Sequence, residues 1–201
     1  MTADSITQNN NYEATFEQYI VRTLEAVKVA SQVEGDTLSA ATRQRALRAL
    51  DFALDSQTAQ PLTRQLLVAL APKMEKAGLR DEWIAQLERG IETASQANDT
   101  YMEGQLALQL GQLYQLLSQF DRATDYFRRS ITLFSQKQCE SEMAVALNRL
   151  AYVAVLQGNA QQSRDLAEQA RYLISKDNQE MAYCLFILGM VAKVEEDWIS
   201  A

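Results

Sequence analysis

The sequence contains no histidine, and it has only two cysteines and two prolines in 201 residues. The lack of histidine excludes histidine-based metal sites, Ser–His and Cys–His catalysis, and imidazole acid–base chemistry. The seven glycines form no phosphate-binding loop, and there is no Gly-x-Ser-x-Gly motif. Cys139 and Cys184 have no partner motif, which predicts two free, buried or half-buried thiols in a reducing compartment. We therefore expect a protein that is not an enzyme, without catalytic residues, metal or cofactor.

The net charge and the distribution of apolar residues argue against two classes of partner, nucleic acids and membranes. The formal net charge is −7 and the pI is about 4.7, which argues against general affinity for nucleic acid. Arg43, Arg45 and Arg48 lie on one predicted helix, and we interpret them as a solvated helix face rather than a basic patch. No run approaches the roughly 18 apolar residues of a membrane span, and residues 1–11 lack the apolar core of a signal peptide. These patterns predict a cytoplasmic protein that binds neither membrane nor nucleic acid.

What the sequence does contain favours helix throughout. Ala, Leu, Gln, Glu and Arg dominate, so the predicted class is all-α. Pro61 suits the first turn of a helix, whereas Pro72 predicts a kink or a break into two short helices. Gly78 is expected to end that segment. The organisation we predict is a mobile tail over residues 1–11, degenerate helical hairpins over 12–99 and clear repeats over 100–201, the last incomplete. The repeat helices are expected at about 101–117, 120–136, 140–157, 160–175 and 179–194, with a turn at Asp177–Asn178 before the last.

One motif recurs in the second half of the sequence. It is centred near Leu110, returns 40 residues later near Leu150, and returns again 38 residues later near Leu188. A fixed period in this range is typical of solenoids, in which each unit buries its apolar face by stacking on its neighbours. The matching positions are Leu110, Gly111, Tyr114, Phe120, Asp121, Ala123 and Phe127, then Leu150, Ala151, Ala154, Gly158, Asn159, Ser163 and Ala167, then Leu188, Gly189, Ala192, Asp197, Trp198 and Ala201.

These positions resemble the tetratricopeptide repeat, a helix–turn–helix unit of about 34 residues. The resemblance covers residues 100–201, with weaker cover from residue 61, and implies a right-handed α-solenoid of antiparallel helix pairs. Gly111, Ala151 and Gly189 are expected to be small because the two helices of a unit approach closely there. Residues 78–99 are also similar to the repeats that follow the nucleotide-switch module of multidomain bacterial signalling ATPases.

In the tetratricopeptide family a ligand lies in a concave groove, lined mainly by the first helix of each unit. Carried over by position, the lining changes along the chain from amide-rich to apolar and aromatic, which suits an apolar peptide or a partner helix. Alternatively, Tyr183, Phe186 and Met190 pack against a further helix, and the sequence leaves both interpretations open. The groove residues that the resemblance implies are Gln105, Leu108, Gln112, Gln115, Leu116, Val145, Asn148, Tyr152, Val155, Tyr183, Phe186, Met190 and Lys193.

The function that we expect is a protein-interaction scaffold for a protein or peptide partner, in signal transduction. The alternative is a regulatory or sensor region of a larger signalling ATPase or other enzyme, whose catalytic domain lies outside this chain. The third repeat reaches Ala201 where its second helix is expected to start. We therefore expect the protein to continue, or another chain to cover this end, with a homo-oligomer through the incomplete C-terminal repeat as one solution.

Overall fold

The computed structural model describes residues 3–175 and 179–195, with side chains from residue 12 onward except that of residue 13. Within these ranges the chain forms nine helices and no strand, which confirms the all-α prediction. The helices are α1 (Ala3–Val33), α2 (Ala40–Ala53), α3 (Gln60–Lys76), α4 (Arg80–Gln96), α5 (Thr100–Leu116), α6 (Phe120–Gln136), α7 (Glu140–Leu156), α8 (Ala160–Leu173) and α9 (Gln179–Val194).

The chain divides into two compact units, Met1–Ala97 and Asn98–Ala201. In the N-terminal unit α1 packs against α2 and α3, and α3 packs against α4. In the C-terminal unit each of α5 to α9 packs against the next, and α7 also packs against α9. Packing of successive helices as neighbours, within each unit, is the arrangement of an α-solenoid. The handedness of the superhelix stays a prediction.

Two features of the N-terminal unit differ from the prediction. Helix α1 begins at Ala3, so it includes most of the segment predicted as a tail before residue 12. That segment lacks an apolar stripe, but it also lacks Gly and Pro, and elongation of an existing helix needs no new nucleus. Helix α3 continues through Pro72, so the predicted alternative of two short helices is wrong. Leu70 and Met74, on either side of Pro72, are buried and hold the helix to its neighbours.

The turns between the repeat helices share one conformation. Ser118, Gln138 and Gly158 each adopt a positive φ directly after a helix, at or next to the predicted turn positions. In each turn the next N–H donates to a carbonyl five residues earlier, as Gln119 N does to Tyr114 O at 2.9 Å. This is the hydrogen bond that ends many helices at a left-handed residue. The predicted turn at Asp177–Asn178 and the repeat positions Asp197, Trp198 and Ala201 lie outside the described residues.

Small residues set the approach of α5 and α6. A Cβ atom added at Gly111 would lie 2.7 Å from two ring carbons of Phe127, and one added at Gly104 would lie 2.8 Å from the ring of Phe134. Both rings are fully buried. The predicted close approach at Gly111 is therefore confirmed. At the third repeat, by contrast, a Cβ at Gly189 would meet no described atom within 4 Å, so the described residues include no helix against that position.

Candidate partner-binding surface

The first helices of the repeats, α5, α7 and α9, form one layer of the C-terminal unit. Helix α7 packs against α5 on one side and against α9 on the other. The residues predicted to line a groove all lie on these three helices. The layer therefore brings the predicted residues of adjacent repeats together, and the best-defined contact among them joins α7 to α9.

Three aromatic side chains meet at the junction of α7 and α9. The ring centroid of Tyr152 lies 6.0 Å from that of Tyr183 and 6.5 Å from that of Phe186, and the last two are 6.2 Å apart. The ring planes are tilted, a common geometry for packed aromatic side chains. The Phe186 side chain is 55% exposed, whereas both tyrosines are half-buried. We call these three residues the aromatic cluster.

A network of polar and charged side chains holds Tyr183, one member of the aromatic cluster. The Arg149 guanidinium lies 4.1 Å from the ring centroid of Tyr183 and donates to a Glu180 carboxylate oxygen at 3.1 Å. The Asn148 amide donates to the backbone carbonyl of Glu180 at 3.2 Å. Burial raises the pKa of Tyr183, and the positive charge of Arg149 opposes that rise. The network ties the N-terminal turn of α9 to α7 and so orients the tyrosine.

The remaining predicted groove residues divide by exposure. Leu108, Asn148 and Val155 are buried, so they belong to the helix contacts and offer no surface to a ligand. Leu116 and Lys193 are exposed on the ends of their helices. Five side chains of this layer are half-buried and could contact a ligand bound to it: Gln105, Gln112, Gln115, Val145 and Met190.

The junction of α5 and α7 is polar. The Tyr101 hydroxyl donates to a Glu142 carboxylate oxygen at 2.9 Å, and the Gln105 amide donates to the Tyr101 hydroxyl oxygen at 3.1 Å. Desolvation raises the pKa of Tyr101, and its hydrogen bond to Glu142 raises it further. The layer thus changes from hydroxyl, amide and carboxylate groups at α5 to exposed aromatic area at α9, the trend that the sequence predicts.

Sequence reasoning missed Tyr101, Glu142, Arg149 and Glu180. Arg149 and Glu180 lie 31 positions apart in different repeats, so their pairing depends on how α9 lies against α7. The only sequence signal is position, because each of the four residues lies three or four positions before a predicted groove residue on the same helix. Helix α9 also exposes Leu185 beside the open Gly189 face.

Other kinds of site are absent from the part of the chain that the structure describes. No group of three or more Cys, Asp or Glu side chains there is arranged to hold a metal ion. No described helix is long and apolar enough to cross a membrane. Both thiols are free: Cys139 is half-buried and Cys184 is buried, as predicted. The Cys184 thiol lies 3.0 Å from the Ala167 carbonyl oxygen, and burial raises its pKa, so it is not activated as a nucleophile.

Comparison with known proteins bears on the fold. No family model matches the sequence, and no curated protein matches it at a significant level. Among solved structures, the crystal structure of BtubC (BKLC) from P. vanneervenii is similar, with a TM-score of 0.74 and 17% sequence identity. The match covers 99% of this chain and 83% of that chain. At this identity the likeness supports the helical fold and says nothing of activity or partner.

Proposed function

We propose that the C-terminal unit is a protein-interaction scaffold of the tetratricopeptide type, which binds an apolar or aromatic peptide or a partner helix across α7 and α9. The observation that carries the proposal is the aromatic cluster of Tyr152, Tyr183 and Phe186, which leaves Phe186 more than half exposed. Aromatic side chains and arginine are the residues most enriched where binding energy concentrates in interfaces.

Preorganisation makes the cluster a good binding surface. Arg149 packs on the ring of Tyr183 and is itself held by an ion pair with Glu180, so ligand binding would not have to order that tyrosine. Ordering a flexible side chain on binding costs about 0.5–1.5 kcal/mol. A ligand side chain packed on Phe186 and Tyr152 would remove apolar area from water at little entropic cost.

The layer also suggests how a ligand would lie. Its apolar anchor would pack on the aromatic cluster, and its polar flank would extend toward the hydroxyl and amide groups of Tyr101 and Gln105. A ligand with one apolar end and one polar end therefore fits better than a uniformly charged one.

The test is site-specific photo-crosslinking in the cells that make the protein. Replacing Phe186 by a photoreactive phenylalanine keeps an aromatic ring in the cluster. We expect a discrete crosslinked product, and we expect Tyr152→Ala in the same chain to reduce it. The matched control places the same photoreactive residue at Tyr172, which is 91% exposed but lies on α8, a second helix.

Equal products from positions 186 and 172, or no product at either, would contradict the proposal. A product of twice the chain mass that depends on protein concentration would identify a second copy of the chain as the partner. That outcome would place homo-oligomer formation on the same surface.

A further inference from the structure

A groove between α1 and α2 in the N-terminal unit combines exposed aromatic rings with arginine side chains. Its volume is about 510 Å³. Phe16 and Phe52 form one end, with ring centroids 5.8 Å apart and planes at 84°. Both rings are at least half exposed, and Tyr19 beside them is 67% exposed. Contact with an apolar ligand would remove the surface of these rings from water, which is favourable in free energy.

Arg45 and Arg48 form the middle of the groove. Arg45 lies seven positions before Phe52 and Arg48 four positions before it, so all three residues are on the same face of α2. Both arginines are exposed, and neither has an ion pair or a hydrogen bond to any described side chain. Among the described side chains, these two guanidinium groups therefore have no counter-charge where they flank the aromatic surface.

Three described acidic side chains next to the groove aromatics pair with residues outside the groove. Glu17 accepts hydrogen bonds from Ser56 at 3.2 Å and Thr58 at 2.9 Å. The carboxylates of Asp51 and Asp55, on either side of Phe52, both pair with Arg89, at 3.6 and 3.1 Å. The groove is thus locally basic on a chain whose net charge is −7. An anionic ligand would be attracted to the two guanidinium groups of this groove, whereas the chain as a whole carries a negative net charge.

We propose that this groove binds an acidic amphipathic peptide segment of a partner protein. An apolar side chain of that segment packs on the exposed surface of the Phe16 and Phe52 rings, and its carboxylates pair with Arg48 and Arg45. The arginines lie next to exposed aromatic rings, so the best ligand carries carboxylates and an apolar group on the same molecule. A peptide meets this requirement, whereas a small inorganic anion does not. The site is separate from the aromatic cluster of the C-terminal unit and does not depend on the function proposed for it.

The length of the groove determines how far apart the carboxylates and the apolar anchor of the bound segment should lie. From Ala41 to Phe52 the lining of α2 extends about 16 Å, at about 1.5 Å per residue, which is the length of a three-turn helix. If the bound segment is helical and runs alongside α2, its carboxylates lie about one and two turns from the apolar anchor.

The experiment is selection of displayed random peptides of about 15 residues, long enough for a three-turn helix with flanks. The full chain is used as wild type, as Arg45→Gln with Arg48→Gln, and as Arg22→Gln with Arg43→Gln. The last variant removes the same charge from the two groove helices at residues that do not line the groove. Circular dichroism melts establish that all three fold.

We expect one set of peptides to be enriched on the wild type and on the control but not on Arg45→Gln with Arg48→Gln. These peptides should carry Asp or Glu about one and two turns from a Leu, Phe or Trp. A synthetic consensus peptide, followed by fluorescence anisotropy, should bind the groove variant at least about tenfold more weakly and lose affinity with added salt. Phe52→Ala should weaken the same peptide about tenfold.

Three results would overturn the proposal. The first is enrichment that does not differ between the groove variant and the control. The second is a polyanion without apolar groups, such as a heparin fragment, that displaces the peptide while Phe52→Ala has no effect, since this marks a general anion surface. The third is a dimer in sedimentation that Arg45→Gln with Arg48→Gln dissociates, since the groove occupant would then be a second copy.

Discussion

The contacts between α5 and α6 in the C-terminal unit and between α1 and α3 in the N-terminal unit are of different kinds. In the C-terminal unit, α5 and α6 approach through glycine, with Gly104 and Gly111 beneath the rings of Phe134 and Phe127. In the N-terminal unit, polar side chains reach from one helix to the end of another. Lys73 of α3 donates to the carbonyl oxygens of Ser31 and Gly35, each at 2.5 Å, at the end of α1.

The difference explains why only one unit shows a repeat in its sequence. Where two helices approach closely, a position is restricted to a small residue, and such restrictions can recur at a fixed period. A polar contact such as Lys73 with the α1 end leaves no periodic trace, because its partner is a backbone carbonyl that any residue supplies. Helix α1 has no basic residue in its own last turn, and Lys73 supplies that charge from another helix.

The largest expected effect comes from overpacking the glycine contact. Gly111→Leu should lower the free energy of unfolding by about 3 kcal/mol, the upper part of the range for overpacked cores. The reason is that the Phe127 ring, 2.7 Å from the new Cβ, is fully buried and has no room to move. Urea denaturation measures the change.

Gln136→Ala serves as the surface control, because Gln136 is exposed in the last turn of α6. It should change stability by less than about 0.5 kcal/mol. If both variants share the wild-type midpoint, Gly111 is not at a close helix contact.

The polar contacts of the N-terminal unit should be of intermediate strength. Lys73→Met should lower stability by about 1.5–2 kcal/mol, since it removes hydrogen bonds from a charged donor to two carbonyl groups at the α1 end. Lys76→Met is the matched control, since its ion pair with Asp36 at 3.2 Å is exposed and should contribute less than about 1 kcal/mol. Thermal melts that rank the two variants in the opposite order would contradict this description of α1 and α3.

The contact between Arg149 and Tyr183 predicts a change in the pH at which Tyr183 ionises, which can be followed by absorbance. Arg149→Met should raise the pKa of Tyr183 further, because burial already raises it and the lost guanidinium charge opposes that rise. Ultraviolet absorbance across alkaline pH follows the tyrosinate, with Tyr183→Phe used to assign the signal. The pKa of Tyr101, raised by desolvation and Glu142, should stay where it is. A Tyr183 pKa that stays unchanged or falls would contradict this role of Arg149.

A smaller effect should appear at acidic pH in the N-terminal unit. Hydrogen bonds from Thr42 and Ser39 hold the pKa of Glu34 below its ordinary value of 4.5. A carboxyl whose pKa is lower in the folded state adds stability above its unfolded pKa and loses it as pH falls through the folded pKa. Thr42→Val should therefore move the pKa of Glu34 upward, as NMR titration of its carboxyl carbon would show, and weaken the pH dependence of stability below about pH 4.5. An unchanged Glu34 pKa would exclude Thr42 as the main cause.

The sequence predicts the repeat unit better than it predicts either candidate site. The expected helices at 120–136 and 179–194 coincide with α6 and α9, because their ends carry turn residues and their faces are periodic. Asn148 was expected in a groove but is buried against α9, since spacing places a residue on a helix without showing how deep the neighbour lies. From the sequence, Arg45 and Arg48 are interpreted as part of a solvated helix face. Only the packing of α2 against α1 shows that they lie beside Phe16.

The most direct test compares the two repeat-equivalent glycines, Gly111 and Gly189, by urea denaturation of Gly111→Leu and Gly189→Leu. Phe127 covers α5 at Gly111, whereas the described residues leave α9 open at Gly189 and available to a partner. Leucine is favoured over glycine in a helix by up to about 0.8 kcal/mol. We therefore predict that Gly189→Leu leaves stability unchanged or raises it slightly, while Gly111→Leu lowers it. A loss at Gly189 as large as that at Gly111 would contradict an open α9 face.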